Sequence, residues 1–223
     1  MTENEFNGFN SNTTARTEQE LRAEVTACTS CLKVGGHHDV KWAPRFGLGK
    51  FDKPKLMVLQ RQPNRDPETC WHSAFGIHYM GHEQYEALMD WKMHAVQRVL
   101  ELVELTKSDV WATSAVKCPG QFNKPITYPC MGHCSRIHLR HEVFSVKPKV
   151  ILSIGWPPEF LFRYPAISDP DYRVTYTDPE TMCSMVSYSN IVKVHTLDES
   201  MAWVQGVVRE IKKVYLRCYG REW

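Results

Sequence analysis

The residues that could do chemistry in this chain are concentrated around Val116-Lys117-Cys118, with Asn123, Lys124, Pro125, Cys130 and Cys134 following closely. A second pair, Cys28 and Cys31, lies far upstream with C-x2-C spacing. Cys28, Cys31, Cys118 and Cys134 together offer thiolates from two loops, and a tetrahedral sulfur set suits either zinc or an iron–sulfur cluster. Cys130 competes with Cys134 as a ligand, and Cys118 or Cys134 could instead be an ordinary buried thiol. Cys70, Cys183 and Cys218 read as small apolar packing residues.

Composition narrows the setting. A hydrophobic fraction of 43% with 23% charged residues is that of a folded globular chain rather than a disordered one. Its 223 residues suit one sizeable core. We expect a loose arm over residues 1–16, rich in Asn, Thr and Glu, and a single domain over 17–223. No apolar run reaches the roughly 18 residues a membrane span requires, and Met1 to Thr17 lacks the features of a secretory signal. A cytoplasmic protein is expected, in which the cysteines serve as ligands more readily than as a disulfide framework. The formal charge of +2 is too small to point to nucleic acid by itself.

Several elements must position these residues. Thr17 with Glu20 fits a capping box, and Leu21 and Val25 supply the inner face of a helix from about Glu18 to Ala27. Lys33 to Pro54 lacks periodicity and reads as a long ordered loop. Lys55 to Gln60 is a short apolar run suited to a buried parallel strand. Arg61 to Met80, with Trp71, Phe75 and Tyr79, reads as a functional loop. His82 to about Leu105 carries Leu88, Trp91, Ala95, Val99, Leu102 and Val103 at the spacing of one helical face. Val110–Val116 is a second strand, His133 to about Ser145 a helix stopped by Pro148, and Lys149–Gly155 a third strand, followed by a short helix over Pro157–Arg163. Asp169 to Pro179 reads as a loop with some strand character. Ile191–His195 is a further strand, and Asp198 or Ser200 caps a final helix through about Leu216.

Strands alternating with helices predict an α/β fold: a central, mostly parallel sheet of about four strands with helices on both faces. In such sheets a ligand binds beyond the carboxyl ends of the strands. Those ends carry Gln60 to Phe75, Ser114 to Pro125, Gly155-Trp156 and His195.

The order of C-x2-C, an apolar strand followed by Pro and then Phe, a strand ending Val-Lys-Cys, C-x4-N, N-x10-C, Pro-Lys-Val-Ile-x-x-x-Gly and a final strand ending in His resembles a family 4 uracil-DNA glycosylase. The resemblance runs from about Leu21 to Leu216. It implies a three-layer αβα sandwich and a structural [4Fe-4S] cluster held by Cys28, Cys31, Cys118 and Cys134. Phe75 falls where the family stacks a Phe on the extruded base, although alone it would read as core. His195 matches a histidine over the leaving base, where a donor would stabilise developing negative charge. Asn123 matches the family's loop amide, and Thr196 to Ser200 corresponds to the loop that wedges into DNA. Phosphate contacts are expected from Lys117, Lys124, Arg136 and the region of Lys193.

Two departures redirect the reading. The family's Gly-Glu-x-Pro-Gly becomes Gln60-Arg61-Gln62-Pro63-Asn64, so the acid that handles water is replaced; Gln60, Gln62 or Asn64 could orient water instead, and Asp66 or Glu68 could approach from the same loop. The family's Thr-Asn before Val-Val-Lys-Cys becomes Thr113-Ser114, and a serine lacks the paired donor and acceptor of an amide. Smaller changes are His-Thr-Leu for His-Pro and Asn-Lys-Pro for Asn-Arg-x-Pro. The expectation is a monomeric DNA glycosylase with catalytic His195, Asn123 and Gln62 and base-binding Phe75, Ser114 and Gln60. Its base would be a modified pyrimidine, for example hydroxymethylated or glucosylated cytosine of phage DNA in antiphage defence. The alternatives are a uracil-DNA glycosylase of base-excision repair, a non-catalytic iron–sulfur DNA-binding protein, and a zinc-stabilised α/β domain with an unrelated substrate.

Overall fold

Leu56–Gln60 (β2) is buried at every position, as expected of a strand with neighbours on both edges and apolar layers on both faces. The structure, a computed structural model, describes residues 15–30, 44–60, 63, 95–118, 128–154, 174–178, 183–188 and 196–220. In chain order the elements are α1 (Glu18–Thr26), β1 (Leu48–Gly49), β2, helical residues 95–102 (α2), a 3-10 turn (Lys107–Asp109), β3 (Val110–Ser114), α3 (Tyr128–Cys134), a π-helical stretch (Ser135–Leu139), α4 (Arg140–Val146), β4 (Val150–Ile154), β5 (Val174–Asp178), β6 (Cys183–Tyr188) and α5 (Leu197–Tyr219).

The strands form one sheet in the order β1-β3-β2-β4-β6-β5. β3, β2, β4 and β6 run parallel, whereas β1 and β5 pair antiparallel at the two edges. The fold is therefore α/β. Three of the expected strands are β2, β3 and β4, but the strand beside β4 is β6; the expected strand at Ile191–His195 lies outside the described residues. The small polar residues of Cys-Ser-Met-Val-Ser-Tyr dilute the apolar signal of β6, and its hairpin partner β5 falls within the stretch read as mainly loop. Leu48-Gly49, also read as loop, pairs with Trp111 and Ala112. Glycine is required at position 49, where φ is +110° and a Cβ would lie 2.1 Å from the Val110 carbonyl oxygen.

Alternation along the strands divides the core. Leu56, Val58, Val110, Val150, Leu152 and Ile154 pack with Val96, Val99 and Val103 and with Trp203, Val204, Val207 and Ile211 of α5. Met57, Leu59, Trp111 and Ile151 project the other way and pack with Met131, Cys134, Leu139, Val143 and Val146. Adjacent strand residues point to opposite faces, so each face of the sheet has its own apolar cluster and each cluster contains helical residues.

The caps explain where two helices begin. The Thr17 hydroxyl accepts the Glu20 N–H while the Glu20 carboxylate accepts the Thr17 N–H, as the sequence predicts. Arg16 is tied down as well: its N–H donates to the Ser145 hydroxyl at 2.9 Å and its guanidinium pairs with Glu24. At α5 the cap is Thr196, not Asp198 or Ser200, because the reciprocal bonds run between Thr196 and Glu199. The Pro157–Arg163 helix, the Arg61 to Met80 loop apart from Pro63, and the part of the expected long helix before residue 95 lie outside the described residues.

Candidate active site

Parallel pairing of β2 with β3 puts Gln60 in register with Ser114 at the last residue of both strands. Partners in register project to the same face, and the Gln60 Nε2 donates to the Ser114 Oγ at 3.4 Å. Both side chains are buried, and the ladder continues one step further through the Ala115 N–H to the Gln60 carbonyl at 2.8 Å. Two of the expected base-binding residues thus meet at the carboxyl edge of the sheet. The side-chain bond is long. The Gln60 amide and Ser114 hydroxyl could exchange it for bonds to a ligand's donors and acceptors at small net cost.

The turn after β3 leads directly to the thiols. Cys118, Cys130 and Cys134 are buried in the same apolar cluster, and the Lys117 N–H donates to the Cys134 Sγ at 3.3 Å. Cys130 and Cys134 lie one helical turn apart on α3. None of Cys28, Cys118, Cys130, Cys134 and Cys218 is in a disulfide. Cys28 is half-buried just beyond α1, while Cys31 lies outside the described residues. Among the described residues no group of three or more Cys, His, Asp or Glu side chains is gathered closely enough to hold a metal ion. Of the downstream sulfurs, Cys134 receives a backbone N–H, a contact that favours a thiolate, whereas the apolar burial of all three opposes the charged form unless a cation compensates it.

Lys117 requires a correction. Its side chain is 1% exposed, which removes it as a phosphate contact on an open surface. The ammonium donates to the Thr113 hydroxyl at 2.7 Å and pairs with the buried Glu142 carboxylate, whose other oxygen accepts the Trp111 indole N–H at 2.7 Å. Phe46 and Phe51 stack edgewise on Trp111, at centroid distances of 5.5 and 5.4 Å. A lysine following an apolar strand looks like surface in one dimension, because the acid that neutralises it comes from α4.

Thr196 is exposed, but its hydroxyl is engaged in capping, and Leu197 to Ser200 is the first turn of α5 rather than a wedge-like loop. Arg136 is exposed on the π-helical stretch and remains available for phosphate. His195, Asn123, Gln62, Phe75, Lys124, Lys193 and Asn64 lie outside the described residues, as do Cys70 and the candidate acids Asp66 and Glu68.

Two features escaped the sequence reading. Glu142 is one, since an acid inside a helical pattern gives no sign of burial. His138 is the other: it is buried within the expected helix, but neither ring nitrogen meets a hydrogen-bond partner among the described residues. Burial, reinforced by the positive charge of Lys117 and the neighbouring histidines, pushes His138 down to about 4. Burial also lowers His133, with help from Arg136, and His141, with help from Arg16. His138 belongs to the π-helical turn that follows Cys134, and such turns are frequent at functional sites.

Compared with models of known families and with curated proteins, the sequence finds no match in either.

Proposed function

We propose that this protein is a DNA glycosylase that removes a modified pyrimidine and leaves an abasic site. The observation that carries the reading is the Gln60–Ser114 pair, buried at the carboxyl ends of neighbouring parallel strands and one short turn from the buried cysteines. Its weight comes from the sequence resemblance, which assigns base recognition to this strand end. A flipped base must find donors and acceptors for its edge there. Gln60 supplies an amide and Ser114 a small hydroxyl, leaving more room than an asparagine would. That combination suits a pyrimidine with an enlarged substituent, such as hydroxymethylated or glucosylated cytosine, and a role against phage whose DNA carries such bases.

In this reading Cys28, Cys31, Cys118 and Cys134 hold a [4Fe-4S] cluster whose contribution is structural. Phe75 stacks on the extruded base, His195 donates to the oxygen of the departing base, Asn123 serves as the loop amide of the site, and Gln62 orients water. Lys124 and Arg136 meet phosphates, and the protein acts as a monomer in the cytoplasm. Among the described residues no helix is long and apolar enough to cross a membrane.

The test is incubation with duplexes carrying uracil, hydroxymethyluracil, hydroxymethylcytosine or glucosylated hydroxymethylcytosine, followed by alkali. Strand scission at hydroxymethylcytosine or its glucoside is the expected result. Scission at uracil alone would turn the assignment to base-excision repair. Brown protein containing iron and sulfide is expected, whereas colourless protein with bound zinc would refute the cluster.

A second reading has one observation in its favour. Neither described side chain at these strand ends, Gln60 or Ser114, can ionise in the ordinary pH range. A non-catalytic iron–sulfur protein that holds a flipped base would need no general base there. Selective binding without scission on any of the four duplexes would establish that alternative.

A further inference from the structure

The Lys117–Glu142 pair lies behind the strand whose last residue reads the base. Trp111 and Thr113, which hold the pair's two ends, project to the face of β3 opposite Val110 and Ser114. Every polar group of Lys117 is committed. Its ammonium meets Thr113 and Glu142, its N–H meets the Cys134 sulfur, and its carbonyl accepts the Arg45 N–H at 2.6 Å. The residue therefore ties β3, α3, α4 and the irregular segment leading into β1 to one point, between Ser114 and Cys118.

An ion pair buried this deeply is a poor way to gain stability, since well-packed apolar residues of similar volume commonly do as well or better. What it adds is direction: charge-assisted hydrogen bonds fix angles, whereas apolar packing does not. We propose that the Lys117–Glu142 pair is the positioning element for base selection, gripping the back of β3 so that Ser114 meets Gln60 in the orientation that discriminates between bases. This inference rests on the glycosylase reading. The pair touches neither base nor sugar; it acts through Ser114.

The test uses the full chain with Lys117→Met and Glu142→Gln combined, which removes both charges while leaving an acceptor for the Trp111 indole. Thr113→Val, which removes only the hydroxyl contact, is made alongside it in case the double variant does not fold. For each variant that unfolds cooperatively, iron content is measured, together with two ratios across the four duplexes. One ratio is of kcat/KM, and the other is of Kd for 2′-fluoro analogues that resist cleavage. A loss of stability lowers the active fraction equally for every substrate and leaves both ratios unchanged. A positioning role moves them. The expected result is retained iron with a change of about tenfold in selectivity between the preferred base and the next for the double variant, and about threefold for Thr113→Val. Changes below about threefold in a folded double variant, or below about twofold in Thr113→Val if only that folds, overturn the inference and leave the glycosylase reading intact. Wild-type protein that neither cleaves nor discriminates among the four bases overturns both.

Discussion

In the proposed glycosylase, Ser114 is the residue on which base choice turns. A serine beside Gln60 offers one rotatable hydroxyl, whereas asparagine offers a fixed donor and acceptor. Ser114→Asn should therefore raise the ratio of uracil to hydroxymethylcytosine excision by about tenfold or more, read from competition assays on mixed duplexes. An unchanged ratio would remove Ser114 from base recognition. His138 makes a separate claim on stability. Its folded value of about 4 lies below the free value of 6.5, so the unfolded chain binds a proton first as pH falls. The stability is intact above about pH 6.5 and is lost as pH drops toward 4, by on the order of 3 kcal/mol for a group this deeply buried. His138→Leu should shrink the fall in melting temperature between pH 7.5 and pH 5, leaving a residual slope from His133 and His141. The same fall in both proteins would mean that the acid sensitivity arises elsewhere.

Elements carry these residues, and some were far easier to read than others. The Thr17–Glu20 box, the apolar runs of β2, β3 and β4 and the inner face of α5 announce themselves because their signals are local: a cap, a run, a period. β1 has two residues and depends on pairing with β3, and β6 mixes serine with its apolar residues, so both are strands by context. The link between Lys117 and Glu142 spans 25 positions and joins a strand end to a helix, a relation that no periodicity encodes. Gly47 marks how closely these elements approach. A Cβ there would lie 2.5 Å from the Trp111 ring and 2.7 Å from a Glu142 carboxylate oxygen. Gly47→Ala should cost about 1–3 kcal/mol in urea unfolding by forcing the indole and carboxylate apart. A change within error would show that Trp111 can yield without loss.

For the molecule as a whole, the proposed function requires a DNA affinity that declines with salt in proportion to the phosphates neutralised. Burial takes Lys117 out of that count, so Lys117→Met should leave the slope of log K against log salt unchanged, although it destabilises the fold by stranding Glu142. Arg136→Ala should reduce the slope by about one if the exposed face of the π-helical turn meets the backbone. A reduced slope in Lys117→Met with an unaltered one in Arg136→Ala would reverse this assignment. The position of β2 at the heart of the sheet also has a consequence for biosynthesis. Gln60 leaves the ribosome 54 residues ahead of its register partner Ser114, and β4, on the other side, is made later still. At a synthesis rate of roughly 5–20 residues per second, an apolar strand destined for complete burial waits several seconds with neither neighbour present. That interval is one in which a holding chaperone would have most effect, and in which slowed synthesis at low temperature would leave the strand exposed for longer.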